Sequence, residues 1–209
     1  MSWQVLTTFT LLCVLLAVTP GPDSFLVLRF AMSSVRAGVA AGIGSSLATL
    51  GWAVAVSLGL AAVLEQSAVA FRVVKIAGGL YLLWLGVSTF VRHRRSGAEG
   101  LDLAPRREVS TASAFRAGLV STTLNPKVGL FFIAVVPQFL RDDHAGFAAT
   151  MLLGAITAVV GGLYLAGLSL VARTAVDWLR RPRVADGLER VSAAILAALG
   201  LGTLVSATQ

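Results

Sequence analysis

Thr19-Pro20-Gly21-Pro22-Asp23 stands inside the first apolar run of this chain. Each proline lacks a backbone N–H and pushes the residue before it out of the α region, so no helix continues cleanly through this point. An aspartate follows at once, in a stretch otherwise too apolar to welcome one. In a bilayer, a broken helix that carries a charge is tolerated where it lines a protein-enclosed cavity. The stretch therefore reads as half of a transport site.

The surroundings agree with a membrane. The chain has 209 residues, 56% of them hydrophobic and 13% charged, with a mean hydropathy of +0.84. A soluble domain carries about 25% charged residues, and this one has too few polar residues to give a soluble helical bundle its wet faces. Six apolar segments are expected, of about Trp3–Leu28, Ala37–Leu64, Ala68–Val91, Ser113–Leu140, Ala145–Ala172 and Leu188–Ala207. Most approach or exceed the roughly 20 residues that cross a bilayer as a helix. The fold class is thus all-α integral membrane with six transmembrane helices in a single domain over residues 1–209. A cleaved signal peptide is the alternative for the first run. No Lys or Arg precedes its apolar centre, and Pro-Gly-Pro is a poor cleavage site, so the run is kept as a mature helix.

Charge sets the expected orientation. The net charge is +7, and a basic balance can signal nucleic acid, but here the cations lie in short connections between apolar segments. Connections 1–2, 3–4 and 5–6 hold thirteen of the seventeen Lys/Arg. The opposite side receives Arg72, Lys75 and Arg141, and Lys127 lies within a span. By the positive-inside rule those three connections face the cytoplasm and both termini lie outside. The one long loop, about 92–112, is arginine-rich and reads as a solvated topology loop. The single cysteine, Cys13, permits no intramolecular disulfide and reads as packing.

The fourth segment echoes the first. At an offset of 104 residues, half the chain, Thr123-Leu124-Asn125-Pro126-Lys127 stands over Thr19-Pro20-Gly21-Pro22-Asp23. Under the derived topology the two segments cross in opposite directions. A 3+3 inverted-topology repeat with broken helices 1 and 4 would leave this trace, with repeat one over about 1–91 and repeat two over about 113–209. Asn is a strong N-cap and Pro suits the first helical position, so Asn125-Pro126 is expected to restart a helix, as Thr19 or Gly21 before proline does in segment one. Each restart is expected to expose a helix N-terminus that attracts a carboxylate. Asp23 suits its own helix dipole. Lys127 opposes its own and needs a counter-charge or a bound anion.

A charge at mid-membrane costs about 2.5–3.5 kcal/mol. Asp23 and Lys127 are therefore expected to neutralise each other or to meet a zwitterion. A purely structural ion pair, or an Asp23 close enough to the cytoplasmic surface to be wet, are the plainer alternatives. The site residues are then Thr19, Pro20, Gly21, Pro22, Asp23, Asn125, Pro126 and Lys127, with Tyr81 and Gln138 as secondary candidates for the lining. No nucleophile–base pair and no metal-ligand spacing occurs within the spans, so neither an enzyme nor a metal or other cofactor is expected. Gly38, Gly42 and Gly44 read as close helix packing.

With these motifs in hand, the chain resembles the LysE/RhtB family of amino-acid exporters over nearly its whole length. The carriers are Thr19-Pro-Gly-Pro-Asp23, Arg36-Ala-Gly-Val-Ala-Ala-Gly-Ile-Gly44, Lys75-Ile-Ala-Gly-Gly-Leu-Tyr-Leu-Leu-Trp-Leu-Gly86, Phe115-x-x-Gly118, Asn125-Pro-Lys127, Phe132 and Pro137-Gln-Phe139. The resemblance implies a six-helix exporter in the bacterial inner (cytoplasmic) membrane, driven by the proton gradient. Its implied partners are an amino acid or derivative, protons and the lipid bilayer, with no nucleic acid. A homo-oligomer is left open. The alternatives are export of another small solute or cation, and a non-transport assembly subunit.

Overall fold

In a computed structural model of the chain, the described residues are 1–66, 109–140, 146–179 and 182–207, with Val73, Ile76, Leu80 and Trp84 between them. All the elements among them are helical. Helices α1 (Trp3–Val18) and α2 (Pro22–Ser33) flank the first break, and α3 (Val35–Gln66) follows after Ser34. Helices α4 (Thr111–Thr123) and α5 (Pro126–Leu130) flank the second break. The chain then runs through a π-helical turn, Phe131–Val135, and a 3₁₀ turn, Val136–Phe139. Helices α6 (Phe147–Leu170), α7 (Ala172–Leu179) and α8 (Pro182–Ala207) complete the described elements.

Two unbroken stretches, Val35–Gly59 and Phe147–Leu170, are long and apolar enough to cross a membrane. At 1.5 Å per residue, 24 residues span about 36 Å against a hydrocarbon core of about 30 Å. The pair α1–α2 bends by 58° at its break, and α4 by 49° against the stretch Pro126–Phe139; counting each pair as one crossing raises the number to as many as four. Most of the expected third segment and most of the loop at 92–112 fall outside the described residues, and so do Tyr81 and Lys75. The start of α4 at Thr111, capped by the Ser110 hydroxyl, comes slightly earlier than the expected Ser113. The last helix starts at Pro182, ahead of the expected Leu188, and its apolar part is Ala193–Val205.

The faces of these helices show why the composition is so apolar. On α6, Leu152, Val159, Leu163 and Leu170 form an exposed stripe, while Leu153, Gly154, Thr157 and Ala158 are buried on the other side. Apolar residues on the outside and small or hydroxyl residues within are what a lipid solvent selects. Helix α3 packs between α4 and α6. Its crossing with α4 is very close: a methyl carbon added at Gly118 would lie 2.0 Å from the Ala41 carbonyl oxygen, and one at Gly44 2.1 Å from that of Phe115. Backbones this near each other admit no side chain at either position.

The π turn also has a cause. Pro137 donates no hydrogen bond and its ring crowds the carbonyl one turn earlier. The helix widens before it, with the Val136 N–H on the Phe131 carbonyl. The turn places Phe131 and Phe132 in the core, where Phe9 meets Phe131 at 5.8 Å and Phe139 edge-on at 5.1 Å between centroids.

Candidate functional site

Pro20 creates a vacancy in the hydrogen bonding of α1. The Leu16 carbonyl would take the N–H of residue 20, and proline has none. The Lys127 ammonium, from the other half of the chain, fills the place: Nζ donates to the Leu16 carbonyl at 2.7 Å and to the Thr19 carbonyl at 2.6 Å. A cation at the C-terminal end of a helix is also favoured by the helix dipole. The lysine that opposes the dipole of its own helix, α5, is thus countered by that of α1.

Asp23 makes the opposite crossing. Its Oδ1 accepts from the Ser121 hydroxyl and its Oδ2 from the Asn125 side-chain amide, both at 2.7 Å. The Asn125 side-chain oxygen, Oδ1, meanwhile accepts from the Lys127 backbone N–H at 3.0 Å, capping α5. Asn125 is 3% exposed, and these two bonds fix its amide with the oxygen on the helix and the nitrogen on the carboxylate. Each break therefore sends its charge into the other. The side chains of Asp23 and Lys127 bond different partners, although both line one cavity.

The two restarts differ in one respect that the sequence expectation had equated. Asn125 closes the N-terminus of α5 with its own side chain. Gly21 caps α2 with backbone alone, in an extended conformation, and supplies no side-chain bond. The N–H groups of Asp23 and Ser24 in that first turn have no intrahelical acceptor. Of these two restarts, among the described residues, that of α2 is the one left open to an anion.

The cavity has a volume of about 70 Å³ and lies between the two breaks and the facing walls of α3 and α6. About 10–15 Å³ by this measure holds one water, so the space suits a few waters or one small polar solute. Gly21, Asp23, Asn125 and Lys127 line it. Thr19 is buried behind it, with its hydroxyl on the Leu15 carbonyl, while Pro22 and Pro126 face outward. Pro20 acts through the carbonyl it leaves free. Gln138 stands away from the cavity, where its Nε2 donates to the Ala134 carbonyl and the Thr203 hydroxyl. Tyr81 lies outside the described residues.

Several lining residues escaped the sequence reading. Ser45, Ser46 and Thr49 of α3 and Thr157 and Tyr164 of α6 all border the cavity. Their signal was present as hydroxyls in otherwise apolar spans, with Ser45 and Thr49 one turn apart. Thr122, at the end of α4, holds a buried hydroxyl with no partner among the described atoms, and its carbonyl accepts from Trp52 Nε1 at 3.3 Å.

The family model described as LysE type translocator matches residues 14–207. The chain belongs to the LysE type translocator family. It is similar to the homoserine/homoserine lactone efflux protein of Salmonella typhi, at 26% identity over 201 residues, 96% of each chain. The threonine efflux protein of Escherichia coli K12 is 28% identical over 204 residues, covering 95% of this chain and 97% of its own. An uncharacterized membrane protein of Bacillus subtilis, YrhP, is 26% identical over 206 residues, 93% and 96% of the two chains. No solved structure matches. This LysE type translocator is a multi-pass membrane protein, and its family is one of transporters rather than enzymes.

Proposed function

We propose that this chain exports an amino acid or close derivative across the bacterial cytoplasmic membrane, driven by proton influx. The reading includes six spans in a 3+3 inverted repeat, with connections 1–2, 3–4 and 5–6 in the cytoplasm and both termini outside. The observation that carries it is the reciprocal crossing of Asp23 and Lys127 in one polar cavity between two broken helices. Transporters that rock one repeat against another keep their sites at such a junction. Relatives named for homoserine/homoserine lactone and threonine efflux support a small substrate that carries an amino group.

The parts take distinct roles. Lys127 retains a third donor beyond its two carbonyls, and with the open N-terminus of α2 it receives the substrate carboxylate. Asp23 carries the proton. Protonation of Oδ1 requires only that the Ser121 hydroxyl turn from donor to acceptor, whereas Asn125, held by its cap, continues to donate to Oδ2. Moving one charge down 100 mV is worth about 2.3 kcal/mol, which sustains roughly a 50-fold gradient.

The test is an export assay in cells that overproduce the protein and are loaded with dipeptides. One or a few amino acids should accumulate outside, and collapsing the proton gradient should stop the accumulation. Asp23→Asn and Lys127→Ala variants that insert normally yet export at wild-type rates would refute the site, leaving the pair a structural clasp.

A further inference from the structure

Four hydroxyl groups on the α3 and α6 side of the cavity, those of Ser45, Ser46, Thr49 and Thr157, have spent their protons. Thr49 donates to the Ser45 carbonyl at 3.0 Å, and Thr157 to the Leu153 carbonyl at 2.9 Å. Ser46 points its hydroxyl at the Gly42 and Ala158 carbonyls, at 3.1 and 3.2 Å, and Ser45 points its own at the Gly118 carbonyl at 3.4 Å. A hydroxyl has one proton and two lone pairs. What these four residues have left to offer a solute in the cavity is therefore acceptor oxygen. Cys13 draws on the same property, since its Sγ lies 3.3 Å from a Thr157 hydroxyl whose proton is already placed.

The opposite side of the cavity is different. There the unspent groups include donors, the third proton of Lys127 and the first N–H groups of α2, beside the Thr122 hydroxyl, which has no partner among the described atoms. Asp23 is the acceptor on that side, and each of its oxygens already takes one bond, from Ser121 and from Asn125. The breaks thus supply the cavity's ammonium and backbone N–H donors, and these four hydroxyls of the unbroken helices supply neutral acceptor oxygen.

We infer that Ser45, Ser46, Thr49 and Thr157 form the subsite for the ammonium group of a zwitterionic substrate. This rests on the transport reading above and adds the residues that read the amino end. A primary ammonium presents three donors and no acceptor, which suits a wall of lone pairs. A substrate whose amine is acylated, or that lacks the amine, loses these bonds and gains nothing in exchange. Asp23 is thereby left free to carry a proton while the substrate is bound.

The test is calorimetric titration of the purified full-length protein in detergent. The probes are L-homoserine and L-threonine, each paired with the hydroxybutyrate that lacks only its amino group. Ser45→Ala and Thr49→Val should weaken binding of the amino acids by about 10- to 100-fold, the worth of one hydrogen bond to a charged group. Their binding of the hydroxybutyrates should not change. Thr49→Ser keeps the acceptor and should bind as wild type does. Thr7→Val removes an exposed hydroxyl of the same back-bonded kind, on the Trp3 carbonyl, and should be silent. Melting temperatures in the same detergent confirm that each variant is folded.

Variants that keep the wild-type preference for the amino acid overturn the subsite, and so do variants that lose amino acid and hydroxybutyrate equally. In both cases a wild-type protein that prefers the amino acid leaves the transport reading standing. A wild-type protein that does not distinguish the two members of a pair overturns both.

Discussion

Replacing Lys127 by Met removes the cation while keeping a long, flexible side chain, and it tests the clasp between the two halves. Two bonds are lost, to the Leu16 and Thr19 carbonyls. Hydrogen bonds to charged groups are worth about 1.5–3 kcal/mol, but polar contacts between membrane helices average only about 0.6 and reach about 1.7. The overlap of the two ranges is about 1.5 kcal/mol per bond, so Lys127→Met should cost about 3 kcal/mol. For a chain of this length that lowers the melting temperature by about 6–12 °C. The assay is unfolding in detergent followed by tryptophan fluorescence, to which Trp52 contributes from beside the second break. Pro20→Ala should make the loss smaller, because an alanine at 20 returns an N–H to the Leu16 carbonyl. The double-mutant cycle should show a coupling of about 1 kcal/mol or more, well outside the roughly 0.3–0.5 expected of independent sites. Additivity, or a Lys127→Met protein that melts like wild type, would refute the idea that the lysine answers the proline.

Three further outcomes follow from the same geometry. Asp23→Asn should cost only about 1–2 kcal/mol of stability, since an amide can still meet Ser121 and Asn125, yet in proteoliposomes it should abolish the response of transport to an imposed pH gradient. Gly118→Ala and Gly44→Ala should each destabilise by about 2–4 kcal/mol by forcing α3 and α4 apart, read as a fall in melting temperature and in folded yield. Gly21→Ala should fold normally, because its backbone is extended and the new methyl would lie 3.7 Å from Lys127 Nζ. Its substrate affinity should nevertheless fall, because the methyl stands where the anion approaches. Titration against the wild type checks both halves of that statement.

Much of the fold can be read in the residues themselves. Proline, glycine and asparagine act on the backbone within one turn, so the breaks at 19–21 and 124–125 and the helices that restart at Pro22 and Pro126 are local consequences of their residues. The paucity of charge and the length of the apolar runs made the membrane the only solvent that fits. The third segment and the long loop carry expectations that lie outside the described residues. The glycines of α3 read as close packing, and Gly38, Gly42 and Gly44 all meet neighbouring helices at short range.

Which group answers which charge is a different kind of question. The sequence paired Asp23 with Lys127 because their positions correspond and their signs are opposite. In the folded chain the hydrogen bonds of each go to polar partners about a hundred residues away, the aspartate on Ser121 and Asn125 and the lysine on the carbonyls that Pro20 and the helix end leave free. A backbone carbonyl has no letter in a sequence, so its demand for a proton becomes visible only when another helix arrives to meet it. The same holds for the acceptor wall. Ser45, Thr49 and Thr157 could be seen as hydroxyls in apolar helices, but where their protons point depends on each helix's own carbonyls and on which side is packed. The sequence alone determined where the helices break and what charge each break carries, because those are effects within a single turn. Only the tertiary structure decided that the charges cross over, and which faces of α3 and α6 close the space between them, because both depend on helices far apart in the chain packing at close range.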